Sequence, residues 1–153
     1  MEKARFLKRD VSYSAPQQSS GVQRPAKSID SEVAACVAEL MSARTSFHKL
    51  HLKVTGVGSL ASHLALNDLY DALPGHADGL AEAFQGASQS LLSIPDVSPK
   101  ALDTVDAAIS YIQEMKGMIT GLQGKLPYSE IVNDLDTIKS TFNTALYKLK
   151  FLK

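Results

Sequence analysis

Four segments of this chain carry apolar residues at alternating steps of three and four, and the connections between them run short, long, short. In the first, Val33, Cys36, Val37, Leu40, Ala43, Phe47, Leu50 and Val54 fall on one side of a helix that Asp30 or Ser31 can cap. Thr55-Gly56-Val57-Gly58 supplies a helix stop and a tight reversal. A second helix is predicted from about Leu60 to Phe84. Ser98-Pro99 offers an N-cap followed by proline at the first helical position, and Leu102, Val105, Ile109, Ile112, Met115, Ile119 and Leu122 form a heptad-like seam behind it. Gly121 and Gly124 weaken the end of that helix. Pro127 and Ser129 open a fourth, with Val132, Leu135, Ile138, Phe142, Ala145, Leu149 and Leu152 in phase. No segment alternates with period two for long enough to argue for a strand, so the fold class is all-α.

Connection lengths then choose the topology. Helices of about 25 residues are about 38 Å long, and short loops join only antiparallel neighbours. The link from Gln85 to Val97 could span roughly 43 Å fully extended, enough to reach from one end of a bundle to the other. An up-down-up-down bundle has no need of it, whereas ferritin-like bundles carry one long crossover at this place. The expected architecture is thus a ferritin-like four-helix bundle over residues 29–153. Leu91, Leu92 and Ile94 within the link suggest that it is pinned to a surface.

Residues 1–28 read differently. Lys3, Arg5, Lys8, Arg9, Arg24 and Lys27 against Glu2 and Asp10 give this stretch +4 in a chain of net charge zero, which leaves the remainder at −4. With Ser-Ala-Pro-Gln-Gln-Ser-Ser from Ser14 to Ser20, it is expected to be an extended polar arm. It has no apolar stretch between its charges, so a secretory signal is not expected, and no run approaches the roughly 18 apolar residues of a membrane span. The expected location is intracellular, with no membrane partner. The single cysteine, Cys36, cannot form an internal disulfide and reads as a small core residue.

Polar residues concentrate on one side of the second helix. At 100° per residue, His63, Asn67, Asp71, Asp78 and Glu82 fall within about 100° of one another. His51 lies in phase with the apolar stripe of the first helix, and His48 at its margin. Each taken alone has a plain account as a hydrogen-bonded ring or a solvated helix face; together they are donors that iron or zinc accepts. Glu-x-x-His, the motif of a di-iron centre within one bundle, does not occur. Phosphate loops, Cys-x-x-Cys, nucleophile elbows and His-Glu-x-x-His are also absent.

The run His51-Leu-Lys-Val-Thr-Gly56, followed by His63 and by His76-Ala-Asp78-Gly-Leu-Ala-Glu82, resembles the signature of Dps, the small ferritin-like DNA-protecting proteins. The likeness is strongest from about Arg44 to Gly86. It implies a hollow homo-oligomer with a two-fold contact, a short crossover helix at Ser88 to Leu92, and a ferroxidase-type iron site between two chains. His51 and His63 would come from one chain, and Asp78 and Glu82 from the other. Asn67 stands where the resemblance implies an aspartate, so any ferroxidase activity would be weak; Asp71 and Asp68 are the nearby carboxylates. Pro74-Gly75 inside the second helix is a further departure, expected to kink it.

Ala61-Ser-His63 to Tyr70, Ala83-Phe-Gln85-Gly86 and the ending Leu146-Tyr-Lys-Leu-Lys-Phe-Leu-Lys153 resemble ferritin-like proteins of unassigned function encoded by tailed bacteriophages. That kinship implies a second role, a non-enzymatic virion structural protein that packs through the bundle and is tethered to other virion proteins by residues 1–28. Location is then cytoplasmic or virion-associated. A third expectation is non-specific DNA binding by the basic arm, weakening steeply with salt.

Overall fold

The computed structural model describes residues 28–152. The expected arm lies outside the described residues except for Ser28. Four helices account for the regular structure: α1 Ile29–His51, α2 Ser59–Ser88, α3 Val105–Gln123 and α4 Ser129–Phe151. No strand occurs among the described residues, in agreement with the all-α expectation. None of these helices is long and apolar enough to cross a membrane.

Local chemistry sets most boundaries. Ser28, rather than Asp30 or Ser31, caps α1: its side chain accepts from the Ser31 amide, and Asp30 and Glu32 fall in the first turn where the helix dipole favours acid. The chain leaves α1 after His51, earlier than expected, and turns through Gly56 and Gly58, both at positive φ (89° and 77°) that glycine tolerates best. Thr104 caps α3 by accepting from the Ala107 amide at 3.1 Å.

The directions of the helices follow from contacts at their ends. Ser90 bonds Asp30 at the start of α1, and Lys53 just past the end of α1 pairs with Asp103. Residues 89–104 therefore form a strap that climbs the whole bundle. Lys125 pairs with Glu32 near the start of α1, and Lys148, late in α4, pairs with Asp68, early in α2. Hence α1 and α4 run one way, and α2 and α3 the other. Each of α1 and α4 packs on both α2 and α3, whereas α2 and α3 make no substantial contact although they are consecutive.

The strap corrects two expectations. Residues 88–92 are not a crossover helix, and α3 begins at Val105 rather than after Ser98. For α3 the cause is length: an extended residue advances about 3.3 Å, so a helix begun at Pro99 would leave residues 89–98 about 33 Å to climb a bundle that the early turns of α3 would make still taller. α2 in turn continues four residues past Phe84, to Ser88, and stops at Gln89 in left-handed geometry.

α2 is assigned as one helix from Ser59 to Ser88 with Pro74 in its interior. The missing proline N–H removes the helical partner of the Tyr70 carbonyl. Buried Leu69 and Leu73 before it, and Ala77 and Leu80 after it, anchor both halves of the helix to the same core. That core is filled by Phe47, Phe84, Phe142, Ile112, Met115 and Ile119, each almost wholly buried. Burying a side chain of this size contributes about 1.5–3 kcal/mol. Ile131 takes the core place expected of Val132, and Leu152 is left 40% exposed.

Cys36 is fully buried, and burial with the nearby Glu39 carboxylate pushes its thiol up to about 12, which makes it inert filler. Next to it the Tyr111 hydroxyl donates to Glu39 at 2.7 Å while the Lys100 ammonium lies 4.3 Å from the Tyr111 ring centre. This cluster ties α1, α3 and the strap together; burial and the Glu39 carboxylate hold the phenol far above its ordinary range.

Candidate metal centre

The tight reversal between α1 and α2 sets the last turn of one helix beside the first turns of the next. It brings His51 and His63 face to face, ring centres 3.7 Å apart and 25° from parallel. His51 Nδ1 lies 3.0 Å from the His63 carbonyl oxygen, and His63 Nδ1 lies 3.1 Å from the His51 carbonyl oxygen. A carbonyl only accepts, so both Nδ1 atoms carry a proton, and in the neutral form of each ring Nε2 presents a lone pair. This is the tautomer a metal-binding imidazole adopts when its other nitrogen is held by a backbone carbonyl. His63 also satisfies one of the carbonyls that the end of α1 leaves without a helical partner. Neither Nε2 has a hydrogen-bond partner among the described residues. His51 is buried, at 7% exposure, and His63 is half-buried.

Two aromatic neighbours complete the cluster. Tyr70 stacks on His48 with ring centres 4.2 Å apart and meets the His51 ring edge-on at 5.2 Å. Its hydroxyl donates to Asn67 Oδ1 at 2.8 Å, and Asn67 Nδ2 donates to Asp71 at 3.2 Å. The Asn67 amide is thus engaged at both ends. Its oxygen keeps one lone pair, but its orientation is fixed by Tyr70 and Asp71.

The remaining candidates separate. Asp68 turns toward α4 and pairs with Lys148 at 2.6 Å, so it does not take the place of the missing carboxylate. Asp71 is exposed but stands within this hydrogen-bonded group. Asp78 and Glu82 are exposed on the outer side of α2. Fifteen residues of helix put Asp78 about 22 Å from His63 along the axis. Among the described residues, no three His, Cys, Asp or Glu side chains of one copy come together to hold a metal. A single copy therefore presents two imidazoles at one end of α2 and two carboxylates toward the other.

The inward direction of His51 is readable from the sequence, whereas its pairing with His63 was implied only by the resemblance to Dps. Tyr70 and the crossed carbonyl bonds are not readable there, although His48 with His51 and Asn67 with Tyr70 share the three-residue spacing that sets side chains on one helical face.

The profile of a protein family of unknown function, DUF5856, matches residues 51–149, and the chain belongs to that family. The matched stretch opens on His51 and takes in all of α2, α3 and the crossover. No curated protein matches the chain.

Proposed function

We propose that this is a Dps-like, ferritin-like protein that assembles with copies of itself and binds iron(II) between two chains, oxidising it weakly. His51 and His63 supply nitrogen donors from one copy, and Asp78 and Glu82 supply oxygen donors from the other. The observation that carries this reading is the pair of crossed Nδ1–carbonyl bonds, which leaves Nε2 of each of two stacked imidazoles, one buried and one half-buried, without a hydrogen-bond partner among the described residues. The up-down-down-up order with its long strap supports the ferritin-like assignment. Iron is the substrate here, giving its electron to a dissolved oxidant such as dioxygen. Nitrogen and carboxylate donors suit it, and an amide in place of a carboxylate at Asn67 lowers the negative charge that would hold the oxidised ion.

The test is iron(II) oxidation followed by absorbance. The wild-type chain is expected to oxidise iron faster than buffer, and His51→Ala and Asp78→Ala are each expected to lose the effect. Because the halves come from different chains, refolding the two variants together restores one intact site in each mixed pair, about a quarter of all sites. A folded wild-type oligomer that neither binds nor oxidises iron would end this reading.

A second reading rests on Asn67, whose amide is committed to Tyr70 and Asp71. In it the polar cluster is a hydrogen-bonded joint, and the protein is a virion component that packs through the bundle and is tethered by residues 1–28. Deleting that stretch would then abolish incorporation into particles, while chelators change nothing.

A further inference from the structure

α2 and α3 run the same way, so both begin at the end of the bundle where α1 finishes, and the strap delivers the start of α3 to the turn that follows α1. A cavity of about 200 Å³ lies between them. Its polar walls are Lys53 and Thr55 from the turn, Ser59 and Ser62 from the first turn of α2, and Asp103 and Thr104 from the start of α3. Neither His51 nor His63 lines it. α2 starts here behind Gly58 with no side-chain cap and no acid in its first turn, whereas Ser28 caps α1 with Asp30 following, and Thr104 caps α3 with Asp106 following. The positive end of the α2 dipole is thus left uncompensated. Ser62 adds an independent sign. It is only 8% exposed, yet its hydroxyl makes no hydrogen bond among the described residues, where a buried hydroxyl ordinarily has a partner. The hydroxyls of Thr55 and Ser59, on the same cavity, are also unbonded among those residues.

We infer that this cavity binds one phosphate group. Hydroxyls can donate to its oxygens, the open first turn of α2 favours its charge, and the half-exposed Lys53 ammonium supplies a cation. Lys53 is held to Asp103 at 3.0 Å by a pair whose members are both exposed, and such a pair contributes little. A doubly charged phosphate therefore draws the ammonium away from the single carboxylate. Asp103 stays behind as an opposing charge, which fixes the sign of one test. Because Ser62 adjoins His63, an occupied cavity also braces the reversal between α1 and α2.

The experiment is calorimetric titration of the full chain with inorganic phosphate, in EDTA so that no metal takes part, at an ionic strength held constant with chloride. One ion per chain is expected. At about ten times its Kd, phosphate should raise the melting temperature by about 3–6 °C over chloride. Ser62→Ala introduces a better helix former, so it should fold, and it should bind about tenfold more weakly. Lys53→Gln should weaken binding, whereas Lys125→Gln, which removes the same charge from an ion pair at the far end of the bundle, should bind like the wild type. Asp103→Asn should bind more tightly, since the repelling charge is gone. A parallel titration with glycerol 3-phosphate separates the sources: tighter binding than the free ion assigns the site to a phosphate monoester, and equal or weaker binding assigns it to the ion itself. No binding beyond chloride, wild-type affinity in Ser62→Ala, equal losses in Lys53→Gln and Lys125→Gln, or no gain in Asp103→Asn would each overturn the proposal.

Discussion

His51 and His63 stack at 3.7 Å, and each gives its Nδ1 proton to the other's backbone carbonyl. The same two bonds orient the Nε2 atoms and close the joint between α1 and α2, so on the proposed reading metal uptake would depend on the bonds that also hold the joint. His63→Ala is expected to lose about 1–2 kcal/mol from the unfilled carbonyl and lost packing, measured by urea denaturation. Asp78→Ala, at an exposed position, is expected to stay within about 0.5 kcal/mol of the wild type while losing oxidation. Equal stability for both variants would show that the crossed bonds do not hold the joint.

Asn67→Asp sets two effects against each other. It returns a carboxylate to the cluster and should strengthen iron binding, seen by titration calorimetry. It also replaces the amide that donates to Asp71 with a second negative charge, so the metal-free protein should melt at a lower temperature. Added iron(II) should narrow the difference, because a ligand bound only by the folded state stabilises it. A variant with unchanged melting and unchanged binding would place Asn67 outside the cluster's energetics.

Ser42 offers a simpler case. Its side chain lies in the core at 6% exposure, and its hydroxyl is buried without a hydrogen-bond partner among the described residues. Ser42→Ala removes that uncompensated group and raises helix propensity, so it should add about 1 kcal/mol to unfolding stability. Thermal melting read by circular dichroism checks the sign.

His76 gives a pH dependence. It is half-buried between α2 and α4, 2.9 Å from Thr141 Oγ1. Thr141 spends its own proton on the Thr137 carbonyl, so the His76 ring donates. Burial lowers its pKa below the ordinary 6.5, so the folded state binds this proton less readily than the unfolded state. Stability from this group is therefore complete above the unfolded value and falls as pH drops below about 6.5, until the folded group also protonates. His76→Gln should flatten the melting temperature between pH 7 and pH 5 relative to the wild type. Parallel curves would rule His76 out as the source.

The stripes that build the core were legible because a 3.6-residue period marks a buried face whatever it packs on. The long link between α2 and α3 was legible from its length alone. The start of α3 was not, since Ser98-Pro99 is a sound local cap signal and the need for extended residues arises only from the height of the whole bundle. The same division holds at the candidate site. The inward phase of His51 is local information, while the bond from its ring to the His63 carbonyl depends on how seven intervening loop residues reverse the chain. Asp68 shows this limit too: its helical phase leaves it near the cluster, and only the arrival of Lys148 from α4 fixes its direction.

The strap has a consequence for how the chain can be divided. Residues 91–103 make no backbone hydrogen bonds to the rest of the described chain apart from the Leu92 amide, which donates to the Gln85 side chain. What lies on either side is a complete helical hairpin, and the two hairpins share the core built around Phe47, Phe84, Ile112 and Phe142. A cut between Val97 and Ser98 would thus sever a tie and leave the load on the side chains, so two separately expressed halves have the means to find each other and rebuild the bundle.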